Sequence, residues 1–171
     1  EIRNCDWSSE VCSSDLMPLR GGLRGVERET LRVSPDGFIA RTGHPVSLGS
    51  ALTNVYITTD YSEALLEFVT PPQRFNWSTL QFLCDIHQFV HESIGAELLW
   101  PLSMPGRVRS EDDVPIARYG SSNVGLIKHI YRRGLGHRYG RIMQSIAGIQ
   151  DRKTTRLNSS HSSVSRMPSS A

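Results

Sequence analysis

A carboxylate interrupts an otherwise apolar stretch. The run Ala64-Leu65-Leu66-Glu67-Phe68-Val69 reads as a buried β-strand, yet it carries Glu67. Burying a lone ionised carboxylate is very costly, so such a group calls for a cation, a metal or a donor. Glu63 and Asp60 lie just upstream, and the distant segment Arg24–Arg32 holds Glu27 and Glu29 at i, i+2. On a strand that spacing puts both acids on one face. Together Glu27, Glu29, Asp60 and Glu67 could form an all-oxygen cluster, which suits Mg²⁺ or Mn²⁺ rather than zinc. There is a plainer reading. Arg24, Arg28 and Arg32 flank the first two acids. Exposed cross-strand ion pairs would be worth little, and Glu67 could be buried against one of those arginines. Spacing alone leaves both readings open.

Other candidate chemistry is weaker. His87 and His91 share a helix face at i, i+4, but Gln88 stands where a zinc-protease helix has its glutamate. A solvated polar face is the better account. Asn76-Trp77-Ser78 matches a glycosylation acceptor but reads as a helix cap. Gly21-Gly22-Leu23-Arg24-Gly25 lacks the lysine and spacing of a phosphate loop. Cys84 sits one position off a helix stripe and reads as a small core filler. Lys128, His129, Arg132, Arg133, His137, Arg138 and Arg141 make a basic run. It is either a solvated face, a phosphate or carboxylate clamp, or a nucleic-acid patch.

The elements that would position these residues follow from pattern. A strand is predicted from Leu23 to Val33, then a Ser34-Pro35-Asp36-Gly37 turn and a short return strand, Phe38–Ala40. Residues 41–50 read as loop. Short strands follow over Val55–Thr58 and Glu63–Thr70, the latter closed by Pro71-Pro72. Asn76 is expected to cap a helix to about Ile94, with the stripe Thr79, Phe82, Leu83, Ile86, Phe89, Val90. Leu98–Leu102 reads as extended and 106–121 as irregular. A second helix is expected over 122–139 with Ile127, Ile130, Tyr131 and Leu135 inward, then a strand over 142–149. The layout is α+β, an antiparallel sheet with two main helices.

The bulk numbers fit one soluble domain: 171 residues, 38% hydrophobic, formal net charge +2. Such a near-neutral balance does not call for nucleic acid or an anionic membrane as partner. No apolar run approaches the roughly 18–20 residues of a membrane helix. Only Cys84 lies in the middle of the chain, since Cys5 and Cys12 fall in the first sixteen residues. A reducing cytoplasm is therefore expected.

Several separated segments carry a resemblance. RGVERETLRV, TGHPVSLGSALT, ITTDYSEALLEFVTP, LLWPLSMPG and YGSSNVGLIKHIYRRGLGHRYGRIMQSIAGI closely resemble the N-terminal part of the proteobacterial glutamate–cysteine ligase family, in order and without large gaps. The resemblance implies a glutamine-synthetase-like catalytic fold whose antiparallel sheet lines a funnel for ATP, metal, glutamate and cysteine. It implies ATP-driven joining of the glutamate γ-carboxylate to cysteine through an acyl phosphate, the first step towards glutathione. Phosphoryl transfer of this kind needs anions brought together and neutralised. A related ligase with another amine acceptor, or a non-catalytic metal- or carboxylate-binding module, are the alternatives.

Carried over position by position, the resemblance implies metal-binding roles for Glu27, Glu29 and Glu67, joined by Asp60. It places Tyr61, Tyr131, Arg132, Gln144 and Ile146 near the cysteine and glutamate pockets. No catalytic side chain is assigned. One departure stands at Gln150, where the family continues with a histidine that serves the metal site. The flanks WSSEVCSSDL and DRKTTRLNSSHSSVSRMPSSA resemble translated sequencing-adapter DNA. Residues 1–16 and 151–171 are accordingly expected to be unstructured tails foreign to the natural protein, with 17–150 an N-terminal fragment. A histidine codon cut after two bases and completed by adapter A would read as Gln150. The chain as it stands is expected to be inactive alone.

Overall fold

The computed structural model describes residues 22–154. Five strands form one antiparallel sheet: β1 (Leu23–Val33), β2 (Ile57–Thr59), β3 (Leu65–Val69), β4 (Leu98–Leu99) and β5 (Ile149–Thr154). Strand β1 is its hub, flanked by β3 on one edge and by β4 and β5 at different points on the other, with β2 beyond β3. Among the described residues two α-helices complete the α+β architecture, α1 (Asn76–Ser93) and α2 (Asn123–Tyr139).

Side-chain alternation makes the sheet two-faced. On one face Ile57, Leu66 and Phe68 pack against Ile86, Val90 and Ile94 from α1 and its end. On the other, Leu31, Val33 and Leu65 build a second core with Tyr61, Val114 and Ala147, and Leu135 of α2 packs against it. Leu31 pairs with Leu65, so the same alternation carries Glu29 and Glu67 onto this second face, beyond the apolar cluster.

Arg32 faces the other way and is 1% exposed. Its guanidinium is held by Glu97 at 2.6 Å and by the Thr42, Gly43 and Glu63 carbonyls. It therefore fastens the loop after β1 and the start of β4 to the sheet. Glu63 is also buried, and its carboxylate accepts backbone N–H bonds from His44 (3.0 Å) and Arg118 (2.6 Å).

Several expectations are corrected. The hairpin return at Phe38–Ala40 is reduced to an isolated bridge between Val33 and Ile39. The strand expected over 142–149 is a 3₁₀ turn at Met143–Ser145, followed by β5. Strand β5 continues to Thr154 and pairs along β1 from Leu23 to Arg28, so residues 151–154 are not structureless; the rest of both expected tails lies outside the described residues. Phe75, not Asn76, occupies the cap of α1, without a side-chain cap bond. Cys84 is exposed, so it fills no core. His87 is not on a solvated face: it meets the Phe68 ring edge-on at 4.8 Å. On α2, Ser122 is the cap, accepting from the Gly125 N–H. Of its anticipated inward face, Leu135 packs against the core, whereas Ile127, Ile130 and Tyr131 are turned out, 66%, 63% and 58% exposed.

Candidate functional site

The acids predicted from spacing do share a sheet face. Glu29 on β1 lies directly opposite Glu67 on β3, and Glu27 stands opposite Val69. Thr58 of β2 neighbours Glu67 on its other side, and Asp60 follows β2 immediately. Glu67 is a partly buried carboxylate with no hydrogen bond or ion pair of its own among the described residues. The arginine partner of the plainer reading is thus missing: Arg32 serves Glu97 instead.

The electrostatics follow from that arrangement. Burial, then repulsion from Asp60, Glu27 and Glu29, pushes the Glu67 carboxyl up to about 7, with Arg132 pulling the other way. Glu29 is also raised, first by burial and then by Asp60 and Glu27, although the Gly148 N–H donates to its Oε2 at 2.8 Å. Glu27 is partly neutralised by Arg152 at 3.0 Å. Asp60 receives Arg132, whose Nε donates to the Asp60 carbonyl at 2.5 Å while Nη2 stands 4.0 Å from its carboxylate.

Such a donor set fits a hard dication. Among the described residues no three acids, histidines or cysteines converge into a closed cage. Magnesium does not require one. It keeps several waters and is commonly held by one or two carboxylates plus substrate phosphates. The facing Glu29 and Glu67 carboxylates, both raised first by burial, present oxygen donors of that kind.

The expected substrate residues divide. Arg132 is joined to the acidic face through Asp60. Tyr61 is a core residue, 2% exposed, with its hydroxyl unpartnered and set against Gly136. Burial pushes its phenol up. Tyr131 stands out on α2, Gln144 is half-buried in the 3₁₀ turn, and Ile146 is 38% exposed. No hydrogen bond or ion pair ties these three to the acids among the described residues. Gln150 lies opposite Glu27 in the β1–β5 pair.

One organising residue was not foreseen. Tyr119 shares its O–H between the Thr59 and Asp60 carbonyls at 2.6 and 2.9 Å. Arg132 lies over its ring at 4.8 Å and Lys128 at 5.0 Å. It thereby fixes both Asp60 and Arg132. A lone tyrosine in a polar, aperiodic stretch was the only available signal.

Comparison with known proteins decides the family. The glutamate–cysteine ligase family profile matches residues 12–151. The chain belongs to the glutamate–cysteine ligase family. It is 58% identical over 131 residues to the glutamate–cysteine ligase of Alcanivorax borkumensis, covering 77% of this chain and 25% of that protein. The Pseudomonas entomophila enzyme is 57% identical over 139 residues, covering 81% and 26%. Among solved structures, glutamate–cysteine ligase from Francisella tularensis in complex with AMP superposes with a TM-score of 0.76 at 41% identity, covering 78% of this chain and 27% of that one. A bifunctional glutathione synthetase from Pasteurella multocida gives 0.73 at 30% identity, covering 86% and 19%. The chain thus spans about a quarter of the length of these ligase relatives. No helix among the described residues of this ligase-family chain is long and apolar enough to cross a membrane.

Proposed function

We propose that the full-length protein joins the γ-carboxylate of glutamate to the amine of cysteine at the expense of ATP. The γ-carboxylate attacks the γ-phosphorus, ADP leaves, and the cysteine amine then displaces phosphate from the acyl phosphate. The product is γ-glutamylcysteine, the first intermediate towards glutathione, formed in the cytoplasm. The observation that carries this reading is the Glu29–Glu67 pair, two carboxylates face to face on a sheet with Glu67 raised to about 7. Like charges placed opposite each other destabilise a sheet, so the arrangement suits a site built for a dication rather than for stability. Family membership supports the chemistry.

Glu29 and Glu67 would hold Mg²⁺ or Mn²⁺, with Glu27 and Asp60 flanking. When bound, such an ion neutralises phosphate oxygens as the phosphoryl group moves. Arg132, fixed by Asp60 and Tyr119, supplies a planar guanidinium suited to a carboxylate or phosphate. By resemblance, Tyr61, Tyr131, Gln144 and Ile146 shape the amino-acid pockets, and residues 17–150 are the part native to the enzyme.

The test is a chimera joining residues 17–150 to the remaining length of the A. borkumensis relative. Phosphate release is expected to require ATP, glutamate and cysteine together, and to be lost in E29Q and E67Q. Full activity in both variants, or release that does not depend on cysteine, would sink the reading.

A further inference from the structure

A cavity of about 620 Å³ is lined by α2, the loop after β1 and the segment before α2. None of Glu27, Glu29, Asp60 and Glu67 lines it. Its charged wall is Arg41, Arg118, Arg133, Arg141, His129 and Glu63. Residues of α2 divide between the two sites: Arg132 turns to Asp60, whereas His129 and Arg133, one helical turn apart, line the cavity.

The charge balance in the cavity is one-sided. Glu63 is the sole acid there, and its two oxygens already accept the His44 and Arg118 backbone N–H groups. Arg41, itself 71% exposed, stands 3.6 Å from the partly buried Asp113, and Arg141 reaches the exposed Asp112 at 3.3 Å. Such surface pairs hold little free energy and are readily exchanged. Arg118 and Arg133 form no ion pair among the described residues. His129 engages the Ala117 carbonyl through Nδ1 at 2.8 Å, which orients the ring and leaves Nε2 for another partner. A second cavity of about 370 Å³ shares Ile116, Arg133 and Arg141, but there Glu111 and Asp112 balance the arginines, so the one-sided basic charge is confined to the first cavity.

Guanidinium groups converging on a concave wall match planar, multiply charged oxyanions, because each can donate two parallel hydrogen bonds. We propose that this cavity is a binding site for a small polyanion bearing phosphate or carboxylate groups, separate from the acidic face. Arg118 and Arg133 are the principal ligands, and Arg141 swings from the exposed Asp112, with the exposed Arg41 beside it, to close on the bound anion. The site does not rest on the ligase reading, because it is tested by binding rather than turnover.

The experiment is isothermal titration of the 171-residue chain with pyrophosphate, and in a second arm with citrate. Saturable one-site binding is expected in at least one arm, and the arm that binds identifies phosphate or carboxylate as the preferred group. In R118A/R133A the affinity is expected to fall by at least about tenfold, as loss of charge-assisted bidentate contacts requires. R118K/R133K keeps the charge and is expected to recover part of it. Both arginines are exposed, and the Arg118 contact to Glu63 runs through its backbone. Arg138, on α2 but outside the cavity, serves as control, and R138A is expected to bind like the parent. No saturable binding in either arm, unchanged affinity in R118A/R133A, or an equal loss in R138A would overturn the proposal.

Discussion

Glu29 and Glu67 are direct cross-strand partners in the antiparallel β1–β3 pair. At that position side chains stand about 5 Å apart at Cβ, close enough that like charges oppose pairing. The cationic pull on Glu67 comes from Arg132, and it is the smallest of the influences on that carboxyl. The sheet therefore carries a local electrostatic cost at its centre, next to the hub strand. A cost of that kind persists where binding or catalysis uses it.

The first prediction concerns pH. Glu67 is neutral-favouring in the fold, with its carboxyl at about 7 against an ordinary 4.5. Its contribution is unopposed below about pH 4.5 and is lost as pH rises through 7. Allowing for solvent screening, the ionised form costs roughly 2 kcal/mol. Thermal unfolding of the metal-free chain is expected to give a lower midpoint at pH 8 than at pH 5 on this account. In E67Q that component should vanish, and a variant that keeps the full slope would disprove the assignment.

A second prediction concerns the dication. If the acidic face takes Mg²⁺ as proposed, the ion would bind acids that the unfolded chain scatters and so stabilise the fold by mass action. At pH 8, millimolar Mg²⁺ is expected to raise the unfolding midpoint of the parent chain. E29Q and E67Q should each lose most of that rise, and E111Q, remote from the acidic face, should keep it. Calorimetry with and without Mg²⁺ decides the matter, and an equal rise in all variants would indicate non-specific screening.

Arg32 carries the third prediction. It is buried, paired with Glu97 at 2.6 Å, and bonded to three backbone carbonyls. Replacing it by methionine fills space but leaves those acceptors and Glu97 without their donor. Breaking one side of such a pair costs about 3–5 kcal/mol, a large share of a small domain's stability. Urea unfolding should show that loss for R32M. A cost within the range of surface substitutions would mean the network is dispensable.

Legibility of the fold tracks how local the cause is. β1, β3 and α1 were readable because alternation and a 3.6-residue stripe are written in consecutive residues. The acids Glu27, Glu29 and Glu67 were readable for the same reason, since i, i+2 on a strand fixes a face. The segment Ile142-Met143-Gln144-Ser145-Ile146 misled because its alternation mimics a strand, whereas it folds as a turn with Ser145 buried. The stripe Ile127, Ile130, Tyr131 shows amphipathicity but not which surface covers it. Tyr119 was illegible because its partners Thr59 and Asp60 lie about sixty residues away in the chain. Glu97 as the partner of Arg32 is the same kind of long-range fact.

A fourth prediction has the opposite pH sign from Glu67. Burial and the nearby Arg32 charge hold the His44 imidazole below 6.5, only partly offset by the Gly49 backbone. The ring is neutral in the fold, so its stabilising contribution is present above 6.5. It is lost as pH falls through the lowered folded value, where the ring must charge. H44N removes the titration, and its unfolding midpoint should fall less between pH 7 and pH 5 than that of the parent. E67Q and H44N combined should flatten both limbs, since no hydrogen bond or ion pair joins the two among the described residues and independent effects add.

The last prediction is about turnover. On the proposed reading, the acidic face would supply only one side of a phosphoryl-transfer site: carboxylates for a dication and one guanidinium, Arg132. Phosphoryl transfer also needs positioned groups around the nucleotide and the attacking carboxylate. The chain spans a quarter of its ligase relatives, and Tyr131, Gln144 and Ile146 stand without ties to the acids. Exposed Ile127, Ile130 and Tyr131 on α2 have the character of a surface that packs against further protein. The purified 171-residue chain is therefore expected to release no phosphate from ATP above the no-enzyme rate, with glutamate and cysteine present. The chimera described above should release it, and a malachite-green assay separates the two. Turnover by the isolated chain, abolished in E67Q, would show that the quarter alone assembles a working centre.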